Sequence, residues 1–310
     1  MYFPYLRAKE FELKTILGLP PHVFERALPI VEPINLNKLK LYKQIAVENR
    51  PLILVTNPTQ GKDRPSGSEV QKFLVEEALA SHNHLILAHV ITNKLHVGAV
   101  QSFLTANPFH GKALIFQHLP LLTDLHTIDQ LLRKHSEVKY IVFDLSYAHE
   151  LLSSPVAWHP GKVLIQDGFQ AEDRNSEYPP KSKFASPFAT WSKSGFAGYG
   201  DYLINGRKYT DGGGRVKVVA LHLTEPPVGS EVVMHHFKST SLADVSGLAP
   251  TKFKEACAAL VTAPATSKMK PTSGLSMYAN WHLKDFFPQL GAAKQASMQH
   301  HIEVMAKLVP

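Results

Sequence analysis

Residues 84–144 contain three short apolar runs: HLILAHV from His84 to Val90, ALIF from Ala113 to Phe116, and VKYIVFD from Val138 to Asp144. Helical patterns at Val97 to Leu104 and Ile128 to Leu132 separate them. A strand that is apolar along its whole length must be covered on both faces. When such strands alternate with helical segments they build a parallel sheet, because each parallel pair needs a crossover connection.

The same alternation extends both ways. Upstream, Tyr2 to Leu6 (despite Pro4), Ala27 to Val31 and Leu52 to Val55 read as strands. Helices are expected around Phe11, Ile16 and Leu17, through Leu39, Tyr42 and Ile45, and at Val70, Phe73, Leu74 and Ala78. Downstream, Val163 to Ile165 and the β-branched run Val216 to Leu223 complete the set. About eight strands at a repeat of roughly 25 to 30 residues predict an α/β fold of the (β/α)8 TIM-barrel type. A doubly wound open sheet would alternate similarly, but no strand here is followed by GxGxxG. The expected organisation is a barrel over residues 1–240 and a helical extension over 241–310 packed on it, since no Gly/Ser- or Pro-rich linker intervenes. Ala171 to Gly195 interrupts the pattern and reads as a long loop near the site.

The glycine-dense stretch Gly195 to Glu225 leads into the final expected strand. Asp211-Gly212 ahead of an alternating apolar segment is a hairpin signal, and Gly212 to Gly214 reads as a turn. A phosphate cradle would need those glycines to open a helix followed by Lys and Ser or Thr, which is absent.

The chain of 310 residues is 44% hydrophobic and 19% charged, enough to bury a full core. Its net charge of +7 suits an anionic partner, but no run of five basic residues marks one. Cys257 is the sole cysteine, which excludes an intrachain disulfide framework and reads as a buried small hydrophobe in a reducing compartment. Without a visible signal peptide or an apolar stretch of membrane-spanning length, a cytoplasmic protein of a bacterium or phage is expected.

In a barrel, the C-terminal strand ends collect functional groups. Here those ends are Arg7, Glu32, Asn57, His118, Asp144, Asp167 and His222, joined by Asp201 from the glycine stretch. Converging carboxylates and histidines could perform acid–base work or hold Mg²⁺ or Mn²⁺. Arg174 could grip a phosphate or carboxylate in bidentate fashion. The adjacent pairs His235-His236 and His300-His301 lack the i, i+4 spacing of two ligands on one helical face; for the second pair, one buried and one exposed ring is expected.

The opening Tyr2-Phe3-Pro4-Tyr5-Leu6-Arg7 with Lys9 and Phe11-Glu12-Leu13, then Glu32-Pro33, Gly200-Asp201-Tyr202, Gly212-Gly213-Gly214 and Met298-Gln299-His300-His301-Ile302-Glu303 span nearly the whole chain. Together they resemble the "beta protein" family of phages and bacteria, in particular the bacterial branch often encoded beside a small restriction-like nuclease. Ala8 departs from that pattern, which has glycine there. The resemblance implies a polar constellation of Arg7, Lys9, Glu12, Glu32, Asp201 and Tyr202, and a phage-defence or mobile-element setting with a nuclease as protein partner.

Three functions follow as expectations. The first is a barrel subunit that acts with its nuclease partner on nucleic acid or a phosphate-containing ligand. The second is a stand-alone, metal-assisted phosphate-ester hydrolase, and the third a non-catalytic interaction or inhibitory protein. In the enzymatic reading Glu32, Asp144, Asp167, Asp201 and His222 carry the chemistry, while Arg7, Lys9, Glu12, Asn57, Arg174 and Tyr202 bind substrate. Charge placement at the rim separates the first two: clustered Lys and Arg favour an anion, an acidic rim favours a metal.

Overall fold

In the computed structural model, which describes residues 1–92, 97–210, 217–229, 231–241 and 248–309, eight parallel strands close into a barrel. They are β1 (Tyr2–Leu6), β2 (Ile30–Val31), β3 (Leu52–Val55), β4 (Leu85–Ile91), β5 (Gly111–Phe116), β6 (Val138–Asp144), β7 (Lys162–Gln166) and β9 (Gly198–Asp201). The barrel closes where β9 lies between β7 and β1, with Gly200 level with Ile165 on one side and Phe3 on the other. The first seven strands follow the sequence reading, with β2 shortened from residues 27–31 to Ile30–Val31, while the helix Ala148–Leu152 and the turn Pro155–Trp158 between β6 and β7 lie outside it. Helices Glu10–Gly18, Leu39–Val47, Val97–Thr105 and Leu122–Leu132 all fall where apolar periodicity places them.

The eighth strand does not. It is Gly198–Asp201, not the run from Val216 to Leu223. Gly-Tyr-Gly-Asp contains no β-branched residue, so a search for apolar runs passes over it. Its glycines are demanded by close approach inside the barrel. A Cβ on Gly198 would sit 2.5 Å from a Phe3 ring carbon, and one on Gly200 would sit 2.1 Å from the Phe3 carbonyl oxygen. The Met1 carbonyl oxygen would stand even closer to a Cβ on Gly198, at 2.2 Å, so it is mainly the backbone of β1, with the Phe3 ring beside it, that excludes side chains from β9.

Within the barrel, inward residues alternate along each strand: Phe3 and Tyr5, Ile53 and Val55, Val163 and Ile165 belong to one enclosed cluster. The other parity faces the helices and joins the larger core, as with Leu6, Leu52 and Leu164. The barrel is thus packed through its middle and open only at its ends.

A separate antiparallel sheet of order β10-β11-β8 lies beside the barrel. It comprises β8 (Lys181–Phe184), which arises inside the long loop predicted over Ala171 to Gly195, β10 (Ala220–Val228) and β11 (Glu231–Lys238). The apolar residues Leu221 and Leu223 belong to β10. They pack with Phe253, Leu260, Tyr278 and Trp281 of helices Ala249–Thr262 and Ser273–Leu283, a third core outside the barrel. Cys257 lies within it, its thiol pushed up to about 11 by burial, as expected of a small hydrophobe and not a nucleophile.

The final helix, Leu290–Ala306, is wedged between barrel and sheet and is buried on every side from Ala296 to Ala306. Both His300 and His301 are therefore fully buried, which corrects the expectation of one exposed ring. The Asp211-Gly212 hairpin, the Gly212 to Gly214 turn and Val216 lie outside the described residues. No helix among the described residues is long and apolar enough to cross a membrane.

Candidate functional site

The inward parity of each strand continues one step past its C-terminal end, and this places Tyr5, Arg7, Glu32, Asn57, Asp144, Asp167 and Tyr202 around one mouth. A cavity of about 570 Å³ opens there, lined by Gln60, Gln117, Asp167, Arg207, Lys208 and Tyr209.

Arg7 is the pin of this mouth. It is buried, and its Nε donates to Gln60 Oε1 at 2.9 Å while Nη1 donates to the Gly206 carbonyl at 2.8 Å and Nη2 to the Arg207 carbonyl. Its guanidinium also stands 5.3 Å from the Tyr202 ring centre. These bonds fix the loop after β9 across the opening and leave Arg7 acting on a ligand through that loop. The Glu12 carboxyl accepts from the Arg7 and Lys9 backbone N–H groups and from Asn205 Nδ2, which ties helix Glu10–Gly18 to the same loop. Burial raises the Glu12 pKa, with Arg7 and Lys294 opposing.

Arg207, so placed, is the charge presented to solvent. Its side chain is 38% exposed, its Nη1 pairs with Asp144 Oδ2 at 2.9 Å, and its backbone N–H donates to Asp167 Oδ2 at 2.9 Å. Lys208 beside it is exposed, and Lys9 reaches the Thr210 carbonyl and stands over the Tyr209 ring. Asp167 borders the cavity with its pKa raised by burial, against the pull of the Arg207 and Phe169 backbone N–H groups and of both arginines. Deeper, Glu32 accepts from Tyr5 Oη at 2.8 Å and from the Thr59 N–H and hydroxyl at 2.6 and 2.8 Å, and Gln117 donates to Tyr5 Oη. Asn57 is structural: its amide exchanges hydrogen bonds with the Val90 backbone and so extends the β3–β4 ladder.

Two of the expected acid–base residues lie elsewhere. Asp201 has the outward parity of β9 and is fully buried against the final helix. Its Oδ1 accepts from Tyr2 Oη at 2.8 Å and from the Leu203 N–H at 2.9 Å, and lies 3.1 Å from His301 Nε2. His301 Nδ1 in turn lies 2.6 Å from Thr224 Oγ1. Asp–His–Thr in this order has the connectivity of an acyl-transfer relay, but Thr224 is fully buried and lines neither cavity, so no substrate reaches it. His222 belongs to β10, which is not in the barrel, and it lines a different cavity from the mouth. Arg174 is an exposed residue of the β7–β8 loop. His118, one position past the inward Gln117, packs edge-on to Tyr147 instead of lining the mouth.

Residue parity also identifies what the strand-end reading left out. Ala113 and Ile115 point inward, so Gln117 and not His118 enters the mouth. Tyr5 follows Phe3 in the same way. Arg207, Lys208 and Gln60 come from loops, where no periodicity announces them.

The mouth does not offer a ready metal centre. Among the described residues no group of three or more His, Cys, Asp or Glu side chains converges as a ligand set. Asp144 is held by Arg207, while Glu32 and Asp167 already accept from protein donors.

No family model matches this chain, and no curated protein matches it. One solved structure, a proposed dihydrodipicolinate synthetase from Pseudomonas aeruginosa, aligns with 66% of this chain and 71% of its own at 10% identity and a TM-score of 0.37. The (β/α)8 barrel rests on the strand pairing itself.

Proposed function

We propose that the barrel mouth binds a phosphate-bearing ligand, and that the protein is the barrel subunit of a two-component defence or mobile-element system acting with a nuclease on nucleic acid. The observation that carries the binding site is the lip of the mouth cavity, where Arg207 and Lys208 face solvent over a floor of hydrogen-bonding side chains. An arginine and a lysine at an open, polar cavity are suited to phosphate oxygens, the arginine by its planar fork and the lysine as a point charge. The nuclease partner is supported by the resemblance to the "beta protein" family alone.

The test is fluorescence anisotropy of a labelled single-stranded 12-mer, with the chain purified alone and together with the product of its neighbouring gene. Arg207→Ala/Lys208→Ala is expected to weaken binding by about tenfold or more and to flatten its salt dependence, since each phosphate contact releases counterions. Unchanged affinity and salt slope would reject the mouth as the binding surface. Failure of the neighbouring product to co-purify would reject the two-component assembly.

A second reading, phosphate-ester hydrolysis at the same mouth, is favoured by Asp167. Its carboxyl borders the cavity with a raised pKa, which suits a general acid or base. Turnover of a phosphodiester by the wild type and its loss in Asp167→Asn, with affinity retained, would establish it; equal turnover in the two would remove Asp167 from the chemistry.

A further inference from the structure

A second and larger cavity, of about 970 Å³, lies outside the barrel wall between the β7–β8 loop, the start of β10 and the first turn of helix Leu290–Ala306. It is distinct from the mouth, although only a short stretch divides them. Asn205 faces the outer cavity, and Arg207, two residues on, faces the mouth. A volume of this size accommodates a small organic molecule.

Its lining is specific in three respects. Arg174, Lys217 and Lys294 line it together with Asp173, and since Arg174 pairs with Glu177 at 3.9 Å, Lys294 is the cation that the site turns on. Lys294 stands in the wall. Protein surrounds it closely enough that burial lowers its pKa, with the Glu12 carboxyl opposing, yet the side chain remains open to solvent. The first turn of the seventeen-residue final helix borders the same space through Leu290, Gly291 and Ala293, adding the positive end of the helix dipole.

The lining also has an apolar and aromatic part, and besides Asn205 Oδ1, which is buried without a hydrogen-bond partner, it presents one ring nitrogen of His222. His222 is 9% exposed and packs edge-on to Phe169 and Tyr178 at 5.0 and 4.8 Å. Its Nδ1 lies 2.8 Å from His236 Nδ1, and His236 Nε2 lies 2.8 Å from Ser182 Oγ. Burial, the His236 ring and Lys294 keep His222 neutral. The chain Ser182–His236–His222 thus fixes the ring, and His222 Nε2, without a protein partner among the described residues, is left for whatever occupies the cavity.

We propose that this outer cavity is a binding site for a small organic anion, with its carboxylate or phosphate at Lys294, its apolar body against Phe169, Ile204 and Leu221, and a polar atom at His222 Nε2. The site is independent of the mouth and of the function proposed for it.

Isothermal titration calorimetry of the full chain tests this with four probes. Phenyl phosphate and benzoate carry both ring and charge, inorganic phosphate carries charge alone, and benzyl alcohol carries the ring alone. At least one aromatic anion is expected to bind more tightly than either control, and the preference between the two identifies the head group. Lys294→Met is expected to weaken that binding by about tenfold, equivalent to about 1.4 kcal/mol, while Lys294→Arg retains most of it and Arg207→Ala leaves it unchanged. Should Lys294→Met fail to fold by circular dichroism, the exposed Arg174→Ala serves in its place with a smaller loss. The proposal is overturned if neither aromatic anion binds at millimolar concentration. Loss of binding in Arg207→Ala would overturn it equally, as would inorganic phosphate binding as tightly as phenyl phosphate in Arg207→Ala/Lys208→Ala, where the mouth no longer contributes.

Discussion

Asp201 and Tyr202 are neighbours in the chain that serve opposite sides of the barrel wall. Tyr202 turns inward beneath Arg7 at an open mouth, where Arg207, Lys208 and Asp167 meet solvent. Asp201 turns outward into a sealed seam, where it gathers Tyr2, the Leu203 N–H and His301. Both regions are assembled from polar residues at strand ends, and only one can meet a ligand. A polar group at the end of a barrel strand signals a site when its parity points it inward; with the other parity it signals a fastening between layers.

The first way to break this comparison is Asp201→Ala. It leaves three donors without their acceptor in a fully buried place, and stability is expected to fall by about 3–5 kcal/mol in urea unfolding. A change below about 1 kcal/mol would show that the seam is not held by this carboxyl group.

The seam should also respond to acid. His300 donates through Nε2 to the Thr224 carbonyl at 2.7 Å and accepts at Nδ1 from the Thr272 hydroxyl at 2.8 Å, an arrangement only the neutral ring satisfies. Burial lowers its pKa to about 4 from the ordinary 6.5, the Thr224 contact opposing. Between those values the unfolded chain takes up a proton that the folded one refuses. The contribution is therefore complete above about pH 6.5 and is lost as pH falls through about 4, at up to about 1.4 kcal/mol per pH unit. Urea midpoints measured across this window should show a shallower slope in His300→Gln; an identical slope would remove His300 as a source of acid sensitivity.

At the mouth the expected balance reverses, with function more sensitive than stability. Glu32→Gln keeps the oxygen that Thr59 uses but removes the acceptor for Tyr5, so a loss of about 1–2 kcal/mol is expected together with loss of ligand binding or turnover. Wild-type function with normal melting would take Glu32 out of the site.

The smallest effect is expected at Ala8, in the first loop of the mouth. Its φ of +52° lies in the left-handed region that glycine prefers. Ala8→Gly relieves about 1–2 kcal/mol of strain but forfeits a buried methyl and adds freedom to the unfolded chain, terms of about 0.4–1 kcal/mol each. A net change within about 1 kcal/mol is expected, whereas Ala8→Val should destabilise clearly. A large change in Ala8→Gly would show that the methyl is what holds this loop.

The barrel was legible because seven of its strands are continuous apolar runs, the mark of a sheet covered on both faces. The eighth escaped because its inward positions are glycines, required by the close approach of the β1 backbone and the Phe3 ring and not by strand propensity. Glu32, Asp144, Asp167 and Arg7 were legible as strand ends that keep the inward parity. Asp201 ends an unrecognised strand, so its parity could not be counted, and His222 was carried to the wrong place by assigning β10 to the barrel. Arg207 and Lys294 gave no local signal, since their roles come from loop geometry and from packing between parts of the chain far apart in sequence.

The seam also sets an order of assembly. Tyr2 meets Asp201 across 199 positions, Tyr199 donates to the Met305 carbonyl, and Arg26 to the Val309 carbonyl across 283 positions. Contacts of such separation form late, because the intervening chain must close before they give any return. During synthesis the first seven strands can pair one after another, yet the cylinder stays open until β9 emerges. Asp201 then waits, bare of His301, until residues near 300 have been made. A nascent chain paused between these two points would display an unsealed flank, the state in which this fold is most exposed to chaperones and to misassociation.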